Sequence, residues 1–316
     1  ENRPAPVAVG IVPTSKDWEE LWNMIKLADK ASDGDAVAMD TTNGAEVQLA
    51  YMTLRDYWEA HFTSLKKPFP ELRFEYTSKT GSHAYKTFSW SAAWNIVLEP
   101  IQVLVNDELY IIFHNPSGCT DTALRNAFAL EYLYVNWWRE LYPELNWKTR
   151  VILYLVHLCL VMYGDDHILM LNKLDELIKI VQTPDFSKIT PTAAEIGFQI
   201  TAADKNGPVK EMQPSEITFL KRAFRPYSVD NQTIVLAPLD LLSITQNVLW
   251  YKSDKSWIEY AQPHFDAFEE EMIQHPELYR EHVAKLKLNM HEHGANVKPR
   301  NADISNNLAR RLGVTL

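Results

Sequence analysis

Cysteine is nearly missing from this chain: of 316 residues only Cys119 and Cys159 carry a thiol. The pair matches no metal-ligand spacing, nothing around either one marks a nucleophile, and both suit a reducing compartment. Long apolar runs are also lacking. The longest, Val151 to Tyr163, is interrupted by His157 and falls short of the roughly 20 residues a membrane-spanning helix needs. The opening Glu1-Asn2-Arg3-Pro4-Ala5-Pro6 has no basic-then-apolar signal pattern. It has no initiator Met either, which implies a processed product or a fragment. There is no internal repeat and no low-complexity stretch. Positive charge is in deficit, with 31 Lys and Arg against 41 Asp and Glu and a net charge of −10. That balance speaks against a nucleic-acid binder, because such proteins usually carry an excess of Lys and Arg.

What is present is core-forming material. Hydrophobic residues make up 46% of the chain, with 10 Trp, 14 Tyr and 12 Phe, which excludes a disordered chain. The length suits one large domain or two to three smaller ones.

The most pronounced change of character lies at 151–171. An apolar run rich in β-branched and aromatic residues stops at Tyr163-Gly164-Asp165-Asp166, polarity lasts through His167, and Ile168-Leu169-Met170-Leu171 follow. This reads as two buried strands joined by a tight turn. Gly164 supplies a backbone geometry that other residues resist. Two adjacent carboxylates on such a turn suit a hard divalent cation such as Mg²⁺, although a solvated turn is the commoner meaning of those residues alone.

Along the rest of the chain, Thr14-x-x-Asp17 reads as a capping box before a helix from Lys16 to Asp29, with Trp18, Leu21, Trp22 and Ile25 on one face. Ala31 to Asp35 reads as a turn, and Ala36-Val37-Ala38-Met39 as a short strand delivering Asp40 to a loop. An Asp at a strand end serves either a functional site or the cap of the helix that follows through Val47, Tyr51 and Leu54. Residues 64–87 are loop-rich and locally basic, with one short strand at Leu72, Phe74 and Tyr76. A helix is predicted from Ser89 to Asn106, then a strand from Leu109 to Phe113, then a break at Pro116 and Gly118 before a long helix. Thr122 and Asn126, four apart, share a face near the start of that helix, where they serve either the local backbone or a polar ligand.

Further on, helices are expected at Leu171 to Val181 and Pro191 to Ile196, and strands at Phe198 to Ile200 and Glu216 to Arg222. Ala203-Asp204-Lys205-Asn206-Gly207 forms an exposed turn between those strands. From Pro226 the chain reads as mainly helical, with one face at Leu241, Ile244 and Val248. Two further helical segments, Phe265 to Ile273 and Leu278 to Leu286, are parted at Pro276. His291-Glu292-His293 offers two metal-ligand types on a polar tail, which more often is simply solvated.

Taken in order, a strand-end Asp40, Ser117-Gly118-x-x-x-Thr122-x-x-x-Asn126, Tyr163-Gly164-Asp165-Asp166, Ala203-Asp204-Lys205 and Phe219-Leu220-Lys221-Arg222 resemble the palm of an RNA-dependent RNA polymerase. The similarity is to picorna-like positive-strand RNA viruses, the picornavirus, dicistrovirus and iflavirus group, and it extends to Ala237-Pro238-Leu239-Asp240 and Trp250. The Ser-Gly motif disfavours a reverse transcriptase, which also carries paired aspartates. The resemblance implies an α+β fold: an antiparallel palm sheet flanked by helices, a helical thumb and a partial fingers subdomain. Its implied boundaries are a lead-in at 1–34, palm at 35–63 and 107–225, a partial fingers insertion at 64–106, and thumb at 226–316.

The resemblance also implies roles. Asp40, Asp165 and Asp166 hold two Mg²⁺ ions, with Mn²⁺ as an alternative, for in-line transfer of a nucleotide to an RNA 3′-hydroxyl. Ser117, Gly118, Thr122 and Asn126 bind the incoming NTP and sense its ribose. Lys205 is a general acid for pyrophosphate, and Phe219, Leu220, Lys221 and Arg222 position the primer. Implied partners are RNA template and primer, NTPs and other viral replication proteins, at replication complexes in the host cytoplasm. In relatives a second Asp, used on the ribose, lies five residues after the first; counted from Asp40 that position is Ala45, which puts ribose discrimination in question. Only 39 residues precede Asp40, too few for most of the fingers, whose basic residues would offset the net charge. The chain alone is therefore expected to extend a primer poorly, and a non-catalytic remnant or interaction module with the same palm is the competing expectation.

Overall fold

The computed structural model describes residues 8, 10–37, 39, 47, 50, 51, 53, 54, 73–77, 83–87, 101–105, 108–112, 122–172, 184–229, 232–249 and 256–300. Helix α1 (Lys16–Leu27) starts where expected and ends two residues short of Asp29, but its cap is not Thr14 but Ser15, which accepts the Asp17 amide at 3.2 Å. Its Trp18, Leu21, Trp22 and Ile25 are buried, as their spacing predicts.

The next element departs from expectation. Strand β1 spans Lys30–Ala36, so the segment read as a turn is extended, and of the expected strand only Ala36 belongs to it among the described residues. Lys-Ala-Ser-Asp-Gly-Asp has poor intrinsic strand propensity. It pairs on both sides because neighbouring elements satisfy its polar groups: the Ser32 hydroxyl, for example, donates to the Lys210 carbonyl at 2.6 Å. Two hairpins follow, β2 (Arg73–Thr77) with β3 (His83–Thr87) and β4 (Ile101–Val105) with β5 (Glu108–Ile112). The region read as holding one strand thus holds two, and the end of the helix expected at 89–106 is strand. In Ile101-Gln102-Val103-Leu104-Val105 β-branched residues outweigh helical spacing.

Helix α2 (Thr122–Leu141) buries Ala127, Leu130, Tyr134 and Trp137. Helix α3 (Trp147–His157) replaces the first half of what reads as a long strand. Asn146 caps it by accepting the Thr149 amide, and the strand β6 is only Leu158–Tyr163. With β7 (Asp166–Leu171) it forms the expected hairpin. The helix expected from Leu171 lies outside the described residues beyond Asn172, as does Trp250. After α4 (Ile189–Glu195) and β8 (Ile200–Thr201), residues 216–222 are not one strand. They contain β9 (Thr218–Phe219) paired with β10 (Arg222–Ala223) across a turn. A hairpin of β11 (Arg225–Val229) and β12 (Gln232–Leu236) then precedes the helices α5 (Leu241–Asn247), α6 (Trp257–Met272) and α7 (Pro276–Glu292). The chain after Pro226 is thus helical only from Leu241.

The central sheet is antiparallel, in the order β6-β7-β1-β8. Strand alternation gives it two apolar faces. Leu158, Leu160, Met162, Leu169 and Leu171 pack on α2 and α4, while Val161, Ile168 and Met170 pack on α1, Phe219, Phe224 and Val235. Two covered faces explain the near-continuous apolar run that carries the hairpin. A third cluster joins β12 to α5, α6 and α7 through Ile234, Phe265, Phe268, Tyr279 and Val283. Among the described residues no helix is long and apolar enough to cross a membrane.

Candidate active site

The β6–β7 register pairs Tyr163 with Asp166 and leaves Gly164-Asp165 as a two-residue turn. Gly164 takes φ +66° at the first central position, the place where a hairpin of this length favours glycine. The turn leaves Asp165 exposed and Asp166 half-buried at the start of β7. Directly across the sheet, β1 sets Asp35 opposite Asp166. Burial, then repulsion from Asp165 and Asp35, pushes the Asp166 carboxyl up to about 6, with Lys221 pulling the other way. Three carboxylates, two on facing strands and one on the adjoining turn, therefore share one end of the sheet.

Asp35 has a cationic partner. Lys205 Nζ lies 3.1 Å from its Oδ2, and this contact, then the Asp35 charge, raises the lysine above its usual range. The lysine stands in a tight turn with φ +62°, where its amide donates to the Ala202 carbonyl and Asp204 caps Asn206. A non-glycine residue held there costs roughly 1–2 kcal/mol, so the surrounding structure must impose it. Part of that imposition comes from Asp33, two residues before Asp35 on the same face of β1. Its Oδ1 accepts the Ala203 amide at 3.2 Å, and its Oδ2 accepts the Thr218 amide at 2.8 Å and hydroxyl at 3.1 Å. Burial raises the Asp33 carboxyl despite these bonds.

The same carboxylate thus ties the lysine turn to the element that begins at Thr218. There, Leu220 and Lys221 both have positive φ, +52° and +59°, between the paired Phe219 and Arg222. This is the φ pattern of a type I′ turn, made without the glycine or asparagine that normally serves it. Phe219 is buried against Trp18 and Lys221 is exposed on the carboxylate side. Arg222 turns the other way: its guanidinium makes a two-pronged pair with Glu271 on α6, both contacts 2.8 Å, and donates to the Ala237 carbonyl.

Thr122 and Asn126 lie in the first turns of α2, the asparagine buried. Ser117, Gly118 and Asp40 lie outside the described residues. The structure brings together Asp165, Asp166, Lys205 and Lys221, and adds three side chains that sequence reasoning passed over: Asp35, Asp33 and His167. One signal pointed to Asp35. It stands five residues before Asp40, the very interval sought between Asp40 and Ala45. His167 is buried; its Nε2 lies 2.6 Å from the Tyr134 hydroxyl and its Nδ1 3.1 Å from the Asp165 carbonyl, and burial lowers it to about 4.

A hard divalent cation fits this donor set, since the repulsion that Asp165 and Asp35 exert on Asp166 is relieved by a positive charge. Among the described residues no three His, Cys, Asp or Glu side chains are grouped tightly enough to hold one ion by themselves. The Lys205 ammonium meets Asp35 instead. Few protein carboxylates, with water and phosphate oxygens completing the shell, is the usual arrangement for Mg²⁺.

Similarity to known proteins agrees with this geometry. The chain is 26% identical over 249 residues to the RNA1 polyprotein of Tomato ringspot virus (isolate raspberry), a match covering 77% of the chain and 10% of that polyprotein. It is 32% identical over 151 residues to the RNA1 polyprotein of Beet ringspot virus, covering 46% of the chain and 6% of that protein. In fold it is similar to the Sicinivirus 3Dpol RNA dependent RNA polymerase, with a TM-score of 0.66 and 14% identity over 98% of this chain and 57% of that one. The chain thus spans little more than half of that polymerase and a small part of the polyproteins. Polymerases of this kind use divalent metal ions. Because the family model for the viral RNA-dependent RNA polymerase matches residues 1–298, nearly the whole chain, the protein belongs to that family.

Proposed function

We propose that these residues carry the nucleotidyl-transfer centre of a viral replicase, which extends an RNA 3′-hydroxyl with NTPs on an RNA template. The observation that carries this reading is the register that sets Asp35 across from Asp166, with Lys205 Nζ 3.1 Å from Asp35. Asp35 and Asp165, with Asp166 beside them, would hold two Mg²⁺ or Mn²⁺ ions. When bound, such cations polarise the attacking 3′-hydroxyl and the departing pyrophosphate. The metal role first given to Asp40 passes to Asp35. Asp40, five residues on, then takes the ribose-recognising position, and Ala45 drops out of the pattern.

Lys205, kept protonated by its acidic neighbours, donates a proton to pyrophosphate as it leaves. Thr122 and Asn126, with Ser117 and Gly118, would bind the incoming nucleotide. Lys221, whose charge bears on Asp166, steadies the primer end together with Phe219 and Leu220. Arg222 contributes indirectly, since its guanidinium is engaged by Glu271. We keep the palm, insertion and thumb boundaries as proposals, which put the β11–β12 hairpin at the start of the thumb. Other viral replication proteins, at replication complexes in the host cytoplasm, are the proposed setting. A non-catalytic remnant would be expected to have lost part of the acid cluster or the lysine, and Asp35, Asp165, Asp166 and Lys205 stand together.

Primer extension tests the assignment, assayed for the 316-residue chain and for a longer polypeptide supplying the part of the related polymerase that it does not span. Asp35→Asn and Asp165→Asn should each abolish extension. Asp40→Asn should leave extension measurable while relaxing the preference for ribonucleotides over deoxyribonucleotides. Loss of all extension in Asp40→Asn, with Asp35→Asn active, would return the metal role to Asp40.

A further inference from the structure

We propose that His167 is a positioning residue for nucleotidyl transfer: seated over Gly34 and joined to Tyr134, its ring holds the Asp165 carbonyl and thereby sets the two carboxylates of the turn. The inference rests on the reading of Asp35, Asp165 and Asp166 as the metal-binding acids.

A histidine directly after the paired aspartates is the second residue of a strand that continues as Ile168-Leu169-Met170-Leu171. It is 1% exposed, so it is not a polar residue meeting water at the strand end. Its two nitrogens have different partners. Nδ1 lies 3.1 Å from the Asp165 carbonyl oxygen, which can only accept, so Nδ1 carries a hydrogen and donates. Nε2, 2.6 Å from the Tyr134 hydroxyl, accepts from that hydroxyl in a neutral ring. Both ends of the ring are thereby fixed.

The carbonyl it holds belongs to the peptide unit between Asp165 and Asp166. That unit is planar, so its orientation sets ψ of Asp165 and φ of Asp166 together and aims both side chains. The β6–β7 ladder pairs Tyr163 with Asp166 and leaves the Asp165 carbonyl in the turn, where the imidazole meets it. Groups that hydrogen-bond to metal ligands orient them, and losing one costs about 10–100-fold in metal affinity; here the hold is on the backbone that carries both carboxylates.

Gly34 shows that the facing strand is adapted to this ring. It pairs with His167 across β1 and β7. A Cβ built there would lie 2.5 Å from both Cε1 and Nε2 of the imidazole, while its φ is not in the left-handed region. The glycine therefore serves the ring's space and not a backbone turn. It sits between Asp33 and Asp35, so one clearance links the two acid-bearing strands. Tyr134 comes from α2, eight residues after Asn126 on the same helical face, which connects the helix of the nucleotide-binding motif to the turn.

The test uses the 316-residue chain. With ¹⁵N-labelled histidine and His167→Leu to assign the signal, nuclear magnetic resonance at neutral pH should show Nδ1 protonated and Nε2 bare. A ring protonated at Nε2 alone would overturn the proposal. Mn²⁺ titration followed by electron paramagnetic resonance should show His167→Leu and Gly34→Ala each weakening binding about 10-fold. The double variant should be no weaker than the poorer single variant, because both act through one contact. Should His167→Leu fail to fold, Tyr134→Phe removes only the hydroxyl and should still weaken binding, by less than about 10-fold, by loosening the ring. Unchanged Mn²⁺ affinity in variants that merely melt earlier means a packing role only and overturns the inference. Asp165→Asn separates the two levels: if it loses Mn²⁺ and His167→Leu does not, positioning fails alone, whereas if Asp165→Asn binds as before, the metal-site reading falls and this inference with it.

Discussion

At the scale of single residues, the acids at the sheet end are assembled against their own preference. Asp166 is held protonated up to about 6 by burial and by Asp165 and Asp35, against about 3.9 in an unfolded chain. A carboxyl whose folded pKa is raised favours the folded state while both states are protonated, below about pH 4. That advantage is lost as pH rises through about 6. Without divalent cation, stability should therefore fall between about pH 4 and 6. Asp166→Asn should flatten that slope and add about 1 kcal/mol at pH 7.5, a figure discounted for the partial exposure of the group. Urea midpoints across the pH range would measure it. Lys205 is the counterpart: if it supplies the proton to pyrophosphate, Lys205→Ala should slow extension by about 10²-fold or more. Single-turnover rates against pH would also lose their alkaline limb.

At the scale of elements, two segments carry strain or polarity that only their neighbours make tolerable. In the β9–β10 turn, Lys221→Gly should relieve a left-handed conformation and stabilise the fold by about 0.5–1 kcal/mol. It should still impair primer use, since the charge near Asp166 goes with the side chain; denaturation and primer affinity measured together would show the two effects parting. In β1, Asp33 accepts hydrogen bonds from Ala203 and Thr218. Asp33→Ala leaves those donors without the carboxylate and should cost about 2–4 kcal/mol. Amide exchange at Ala203 and Thr218 should quicken beyond the rise seen elsewhere in the sheet.

These elements also explain what was legible. The hairpin at Gly164-Asp165, the helices α1, α2, α6 and α7, and the turn at Lys205 follow from periodicity and turn chemistry, which are local. The segment 151–157 misleads because its apolar residues satisfy a strand pattern. Yet α3 leaves Val151, Ile152, Leu155 and Val156 about half exposed and buries only Leu153, Tyr154 and His157.

At the scale of the whole molecule, the two small sheets β9–β10 and β11–β12 are tied to the C-terminal helices by charge as well as apolar packing. Arg222 reaches from β10 to Glu271 on α6, and Arg225 to Glu277 on α7. The first pair is two-pronged and largely shielded, so Glu271→Gln should cost about 2 kcal/mol. In a double-mutant cycle Arg222→Lys should lose most of the same energy, since an ammonium cannot reproduce the fork. Sequence alone determined the motif order, the α+β content, and the apolar runs that make the sheet a covered one, because these depend on residue type and spacing along the chain. Tertiary structure decided which aspartate stands across from Asp166. Lys-Ala-Ser-Asp-Gly-Asp becomes a central strand only when Lys210, Ala203, Thr218, Lys205 and His167, all distant along the chain, supply its polar partners or fill its glycine gap. A polar segment with such partners folds as β1, and without them its composition reads as a turn.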